Sequence, residues 1–199
     1  APSAGRVTIG GHVYQDIPNP GRHVGVLLDA SAQHAGRTGR EILEQRPDCD
    51  HVVCAVGSGG TMAGLVAFRW DAASGRLTPV QSVSLYPAAY AGTQPKSAAD
   101  IGVSRDGRFL YVCNRGENGM IVFAVDRRTG GLTLVQRISS GGERPWHFTI
   151  HPSGAWLLIA NRDSNALRLL KIDPRSGRLE DTGKTLASPT PVHVHFLRG

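Results

Sequence analysis

The chain has 199 residues, room for one or two domains, with 40% apolar and 19% charged residues. Lys and Arg number 22 against 16 Asp and Glu, for a net charge of +6. The arginines are scattered through turn-like stretches without a basic run or interleaved aromatics, so no nucleic-acid partner is expected. No apolar run nears the ~18 residues of a membrane helix, so no membrane association is expected. No leader pattern opens the chain at Ala1, which suits a processed or partial product. Cys49, Cys54 and Cys113 are odd in number and lack metal-ligand spacing. A reducing, cytoplasmic setting with no metal site is therefore expected, with Cys54 and Cys113 as small buried hydrophobes in apolar strands.

Taken in order, Arg6–Ile9 is a weak strand before Gly10-Gly11, and Pro18-Asn19-Pro20-Gly21 is a loop. Arg40–Arg46, with Ile42-Leu43 and Glu41/Glu44, fits a helix that Pro47-Asp48 ends. His51–Val56 is a buried strand. Gly57, Ser58, Gly59, Gly60 and Thr61 follow at once, and the spacing lets Met62–Phe68 open a helix. Strand, glycine loop and helix start would form an anion cradle, since backbone N–H groups and the helix dipole both favour negative charge. A plain glycine-rich turn explains the same residues equally well.

Tyr14-Gln15, Asn19-Pro20, His34, Thr38-Gly39, Glu41-Ile42, Gln45 and VVCAVGSGGTMAGL at 52–65 resemble the middle of a pyridoxal-phosphate enzyme of the cysteine synthase and cystathionine β-synthase type. The resemblance implies a phosphate cradle at Gly57, Ser58, Gly59, Gly60 and Thr61. Such an enzyme needs a lysine for its Schiff base. Residues 1–95 contain none; the three are Lys96, Lys171 and Lys184. No bound cofactor is expected on that ground.

From about residue 65 the chain repeats itself. Ser104–Leu132 recurs as His151–Leu179, with Gly107 answering to Gly154, Asn114-Arg115 to Asn161-Arg162, Asp126 to Asp173 and Gly130 to Gly177, all 47 positions apart. Val66–Leu77 repeats the second half of the same unit, so Leu65–Trp70 is assigned to a strand rather than to the helix, and the first unit starts with its outer hairpin only. Asp106-Gly107 and Ser153-Gly154 are tight-turn dipeptides. Phe109–Val112 and Trp156–Ile159 suit strands buried on both faces. Met120–Val125 and Leu167–Ile172, the returns Gly131–Arg137 and Arg178–Leu186, and the leading runs Asp100–Val103 and His147–Ile150 bring each unit to four antiparallel strands. Pro191–Phe196 mirrors Pro145–Ile150 and reads as one more inner strand. A period of about 40–50 residues with four short strands marks a propeller blade. The predicted fold is mainly β: a partial propeller of about three four-stranded blades over 65–199, preceded by a small α/β segment over 1–64.

Ala99-Asp100-Ile101, DGRFLYVCNRG (106–116), Arg144-Pro145-Trp146-His147-Phe148, His151-Pro152-Ser153-Gly154 and Ala160-Asn161-Arg162-Asp163-Ser164 resemble the lactonase-type propeller family, which includes 6-phosphogluconolactonases and carboxymuconate lactonizing enzymes. The resemblance implies a seven-bladed fold and the opening of a small anionic sugar lactone. Hydrolysis needs an activated water, a stabilised oxyanion and a grip on the substrate's anionic group. Inner-strand starts and the loops beside them face a propeller's channel. Asp100 would act as base or orient the water, with one methylene less than the family's usual Glu. Arg115 would grip an anion. His147, titrating near neutrality, would move a proton or donate to the oxyanion. Arg144 and His193 would bind substrate.

Plain structural readings stand beside these. Asp100 also suits a turn cap, Arg115 a tie between blades through carbonyls, and His147 with His193 a repeated inter-blade hydrogen bond. Arg162, at the place of Arg115 in the next copy, favours a structural role for at least one of the two. Trp146 stands where the family usually has arginine, which removes one anion ligand and leaves Arg144 close by. Two other functional classes remain open: a non-catalytic propeller fragment that binds a partner or associates with its own copies to complete the ring, and a remnant of a pyridoxal-phosphate-dependent lyase.

Overall fold

Residues 8–9, 12–13, 51–58, 61–71, 73–92 and 96–196 are described in the structure, a computed structural model. The expected helix at 40–46, the loop at 18–21, and Gly59 and Gly60 lie outside them. The chain divides into two compact units, Ala1–Gln33 and His34–Gly199. In the first, β1 (Thr8–Ile9) pairs antiparallel with β2 (His12–Val13). No helix among the described residues is long and apolar enough to cross a membrane.

Among its described residues the second unit holds three antiparallel sheets. The first is β3 (His51–Ser58), β4 (Thr61–Asp71) and β5 (Arg76–Ser84), in that order. The second is β6 (Ala98–Val103), β7 (Phe109–Asn114), β8 (Gly119–Val125) and β9 (Leu132–Ser139). The third is β10 (Pro145–Ile150), β11 (Trp156–Asn161), β12 (Ala166–Ile172) and β13 (Leu179–Ala187). Four strands per unit, in sequence order, is the arrangement expected from the repeat.

Two expectations about the edges of the repeat are corrected. The first sheet is more than an outer hairpin, because β3 pairs with β4 from His51↔Arg69 to Ser58↔Thr61. Leu65–Trp70 is strand, as assigned from the repeat, and no helix opens at Met62. Residues 61–71 are strand, with β3 on one side and β5 on the other. Ladders on both sides take the backbone groups sideways, and Leu65 and Ala67 are buried where Val66 and Phe68 are only half-buried, which is the strand period. The second correction concerns 191–196, which is not a strand. No strand of a sheet of its own stands beside it among the described residues, so it has no ladder to join.

The second sheet lies between the other two, and its alternation serves two cores. Leu110, Val112, Ile121 and Phe123 pack with Leu65, Ala67, Leu85 and Tyr86 on the side of the first sheet. Phe109, Tyr111, Cys113, Met120 and Val122 pack with Phe148, Leu157, Ile159, Leu170 and Ile172 on the side of the third. Each large apolar side chain so buried contributes about 1.5–3 kcal/mol. That is why β7, FLYVCN, can be a continuous buried run.

The loop between the two outer strands is the same in all three sheets. Asp71, Asp126 and Asp173 each accept the N–H of the glycine four residues on, from Gly75 at 2.8 Å, Gly130 at 2.7 Å and Gly177 at 2.9 Å. Their carboxylates accept further backbone N–H groups inside the turn, such as Arg128 N at 2.8 Å and Ser176 N at 2.8 Å. Gly177 has φ +70°, and a Cβ there would collide with the Phe109 ring of the preceding sheet, so its lack of a side chain serves both turn and packing.

A second device ties sheet to sheet. The Gln81 amide donates to Leu132 O at 3.1 Å and accepts from Leu132 N at 2.6 Å. Gln136 does the same for Leu179, at 2.9 and 2.7 Å. One amide thus satisfies both backbone groups of the first residue in the next sheet's outer strand.

Candidate functional site

Antiparallel pairing brings the starts of β6 and β10 to the same end as the finishes of β7 and β11. Arg115, Arg144, Trp146 and Arg162 gather there. Arg115 opens a 3-10 turn, Arg115–Glu117, after Asn114, whose buried side chain accepts Glu117 N at 3.3 Å and the Tyr86 hydroxyl at 2.6 Å. The loop after β5 is tied to this end as well: Tyr90 donates to Gly116 O at 2.7 Å. Arg144 sits at φ +56°, held by its N–H bond of 2.8 Å to Asn118 Oδ1; Thr190 repeats this with Asn165 one unit on.

Arg115 donates through Nη2 to Ala98 O at 2.9 Å, a tie within its own sheet rather than between blades. Its guanidinium carbon lies 4.7 Å from the centre of the Trp146 ring, and that of Arg162 lies 4.3 Å from the same centre. Burial first, then the positive charges of Arg144 and Arg162, lowers the Arg115 pKa from the ordinary arginine value. The group remains a cation at neutral pH. Trp146 therefore does more than displace one cation; it collects two.

Asp100 and His147 occupy corresponding positions on successive inner strands, and each accepts a backbone N–H from a later segment, β10 for Asp100 and 191–196 for His147. Asp100 Oδ2 accepts Phe148 N at 3.3 Å, and His147 Nδ1 accepts Val194 N at 3.3 Å. The repeated bond is thus made at the Asp100 and His147 positions, each to a backbone N–H of the later segment. His193 contacts the His147 ring edge-on at 3.9 Å. Asp100 Oδ1 also accepts Ile101 N at 2.8 Å.

His147 corrects the expectation of titration near neutrality. Burial first, then His193 and His195, lowers it to about 4. The ring is neutral at pH 7, and with Nδ1 accepting, its proton sits on Nε2, which faces Asp100 Oδ2 at 3.5 Å. The arrangement can offer one N–H beside a carboxylate; it cannot store a proton near neutrality.

Asp100, Arg115, Arg144, His147 and His193 all come from the second and third repeats and the segment after them. Gly57, Ser58 and Thr61 are elsewhere, where Gly57↔Met62 and Ser58↔Thr61 pair across the β3–β4 hairpin. No helix dipole is available there, because strand follows. Sequence reasoning gave Arg162 no part in the site, although its Asn-Arg pair repeats that of Arg115. A cavity of about 400 Å³ lies at the opposite end of the strands, lined by Ser104, Arg105, Phe109, Ser153 and Asp173 among others; none of the expected site residues lines it.

Stacked four-stranded antiparallel sheets, each unit adding its strands from inner to outer, define a β-propeller. The chain belongs to the lactonase family of seven-bladed β-propellers, whose sequence model matches residues 62–196. It is 35% identical to the 6-phosphogluconolactonase of Bacillus subtilis strain 168 over 133 residues, 67% of this chain and 38% of that protein. It is 40% identical to the 6-phosphogluconolactonase of Formosa agariphila over 85 residues, 42% of this chain and 24% of that protein. Among solved structures, a protein from Lactobacillus plantarum superposes with a TM-score of 0.69 at 34% identity, covering 76% of this chain and 43% of the other. The periplasmic gluconolactonase of Pseudomonas aeruginosa gives 0.64 at 31% identity, covering 74% and 42%. The chain thus spans well under half the length of these relatives. Nothing in these likenesses supports the resemblance of residues 10–65 to pyridoxal-phosphate enzymes.

Proposed function

We propose that the chain opens a sugar lactone by hydrolysis, with 6-phosphogluconolactone as the first substrate to try. The observation that carries this is the Asp100 carboxylate beside a neutral His147 Nε2–H, at the end of the strands where the arginines gather. Asp100 takes a proton from the attacking water as the water oxygen bonds to the lactone carbonyl carbon. The developing oxyanion accepts from His147 Nε2–H or Arg115. The ring C–O bond then breaks, and the proton held on Asp100 passes to the departing alkoxide, leaving a hydroxyl and a carboxylic acid that gives its proton to solvent. His147 contributes a hydrogen bond and no net proton, as a group lowered to about 4 should at pH 7. Arg144 and His193 face the rest of the substrate. The test is decay of 6-phosphogluconolactone faster than in buffer; decay at the buffer rate would exclude this substrate.

One feature favours association as a second reading. Trp156, Leu158, Ala160, Leu167 and Leu169 correspond, 47 positions on, to Phe109, Tyr111, Cys113, Met120 and Val122, which face the next sheet. Trp156 is 36% exposed and Leu186 65%. Copies of the chain that close a ring through this face would elute above monomer size, and monomeric elution across the micromolar range would dismiss the reading.

A further inference from the structure

Arg162 and Arg115 share one indole. Cation–π contact occupies the face of a guanidinium and leaves its in-plane N–H groups to find partners at the edge. On Arg115, Nη2 is used on Ala98 O, while Nε is buried and has no hydrogen-bond partner among the described residues. A buried donor without an acceptor is an unfavourable state that an incoming anion would relieve.

The charges point the same way. Three guanidiniums, those of Arg115, Arg144 and Arg162, act on one another at this end. Among the described residues one carboxylate makes an ion pair with them: Asp163, 2.6 Å from Arg162 Nε and 3.8 Å from Arg144 Nη1. Three positive charges share that one paired carboxylate, an excess of two. A monocarboxylate would offset one of them. A phosphate monoester, close to a dianion at neutral pH, would offset both, and its oxygens can accept from separate arginines.

We propose that Arg162, set in place by Trp146, is a specificity-determining ligand for a phosphate group on the substrate, acting together with Arg115 and Arg144. Trp146 is the positioning residue. The identity of the substrate rests on the lactone-hydrolase reading; the binding of phosphate does not.

The test is calorimetric titration of the full chain at low ionic strength with 6-phosphogluconate, inorganic phosphate and gluconate. The two phosphates should bind, and gluconate should bind roughly tenfold or more weakly than 6-phosphogluconate. Arg162→Gln and Trp146→Ala should each weaken both phosphate ligands by about tenfold, and Trp146→Phe, which keeps an aromatic face, should recover most of that loss. Asp163→Asn, an exposed change, removes the compensating carboxylate and should tighten phosphate binding several-fold; it serves if Arg162→Gln does not fold. In turnover, Arg162→Gln should raise KM for 6-phosphogluconolactone with kcat nearly unchanged, a split that loose folding does not produce. Wild-type protein that binds no phosphate, gluconate bound as tightly as 6-phosphogluconate, or phosphate affinity indifferent to Arg162→Gln or Asp163→Asn would overturn the proposal. Phosphate bound through Arg162 without lactone hydrolysis would remove the hydrolase reading and leave this site; hydrolysis with a KM blind to Arg162 would do the reverse.

Discussion

The second and third sheets carry the same 47-residue unit, yet their equivalent residues live in different surroundings. Tyr111 is fully buried between two sheets; Leu158, one unit on, is half-buried. Phe109 is 8% exposed, whereas Trp156 is 36% exposed. The Asp turn and its glycine at positive φ are the same in both. The outer strands are not. Gln136 clips the second sheet to Leu179 of the third, but the matching position in the third sheet is Gly183, at φ +74°. Local structure therefore repeats with the sequence, while stabilisation depends on whether a sheet stands on each side. Any association through that face of the third sheet would proceed without the glutamine clip.

The sharpest way to break this contrast is a matched pair of truncations. Tyr111→Ala should cost about 3–5 kcal/mol and Leu158→Ala about 1–2, read from urea unfolding. Equal losses would mean that the face of the third sheet is as well covered as that of the second. Next, Arg115→Ala should lower kcat for lactone opening by roughly 100-fold or more, about 3 kcal/mol, if it meets the oxyanion. A fully active Arg115→Ala protein with unchanged circular dichroism would make Arg115 part of the scaffold only.

The paired acceptors Asp100 and His147 separate by pH. His147 is lowered to about 4 in the folded chain, against an ordinary 6.5. As pH falls, the unfolded chain takes the proton first, so this contribution is intact above 6.5 and is lost between 6.5 and about 4. The loss amounts to about 3 kcal/mol. His147→Gln should flatten that part of the stability profile, and an unaltered slope would assign the pH dependence elsewhere. Smallest is Gln136→Ala, which strands Leu179 N and O and should cost about 1–3 kcal/mol. Gln81→Ala, acting on Leu132, should match it; a large inequality would show that the two clips carry different loads.

The placement of the candidate residues was legible in the repeat. Asp100, Arg115 and His147 were expected at one end of the strands because inner-strand starts and the turns after middle strands recur at a constant interval. The charge state of His147 was not legible, since it depends on burial and on His193 and His195 beyond the third sheet. Nor was the part played by Arg162. Its repeat of Arg115 suggested scaffolding, and only the shared Trp146 ring shows the two guanidiniums at one place.

By itself the sequence determined what neighbours a few residues apart can enforce: the Asp turns, the glycines at positive φ, the apolar runs of β7 and β11, and the repeat register. Tertiary structure alone decided that β3 completes the first sheet, that 191–196 has no ladder, and that two arginines share one indole. The physical reason is the same in each case. A backbone group or a charge takes its state from partners that the fold brings close, and those partners lie outside the local pattern in which they would have to be read.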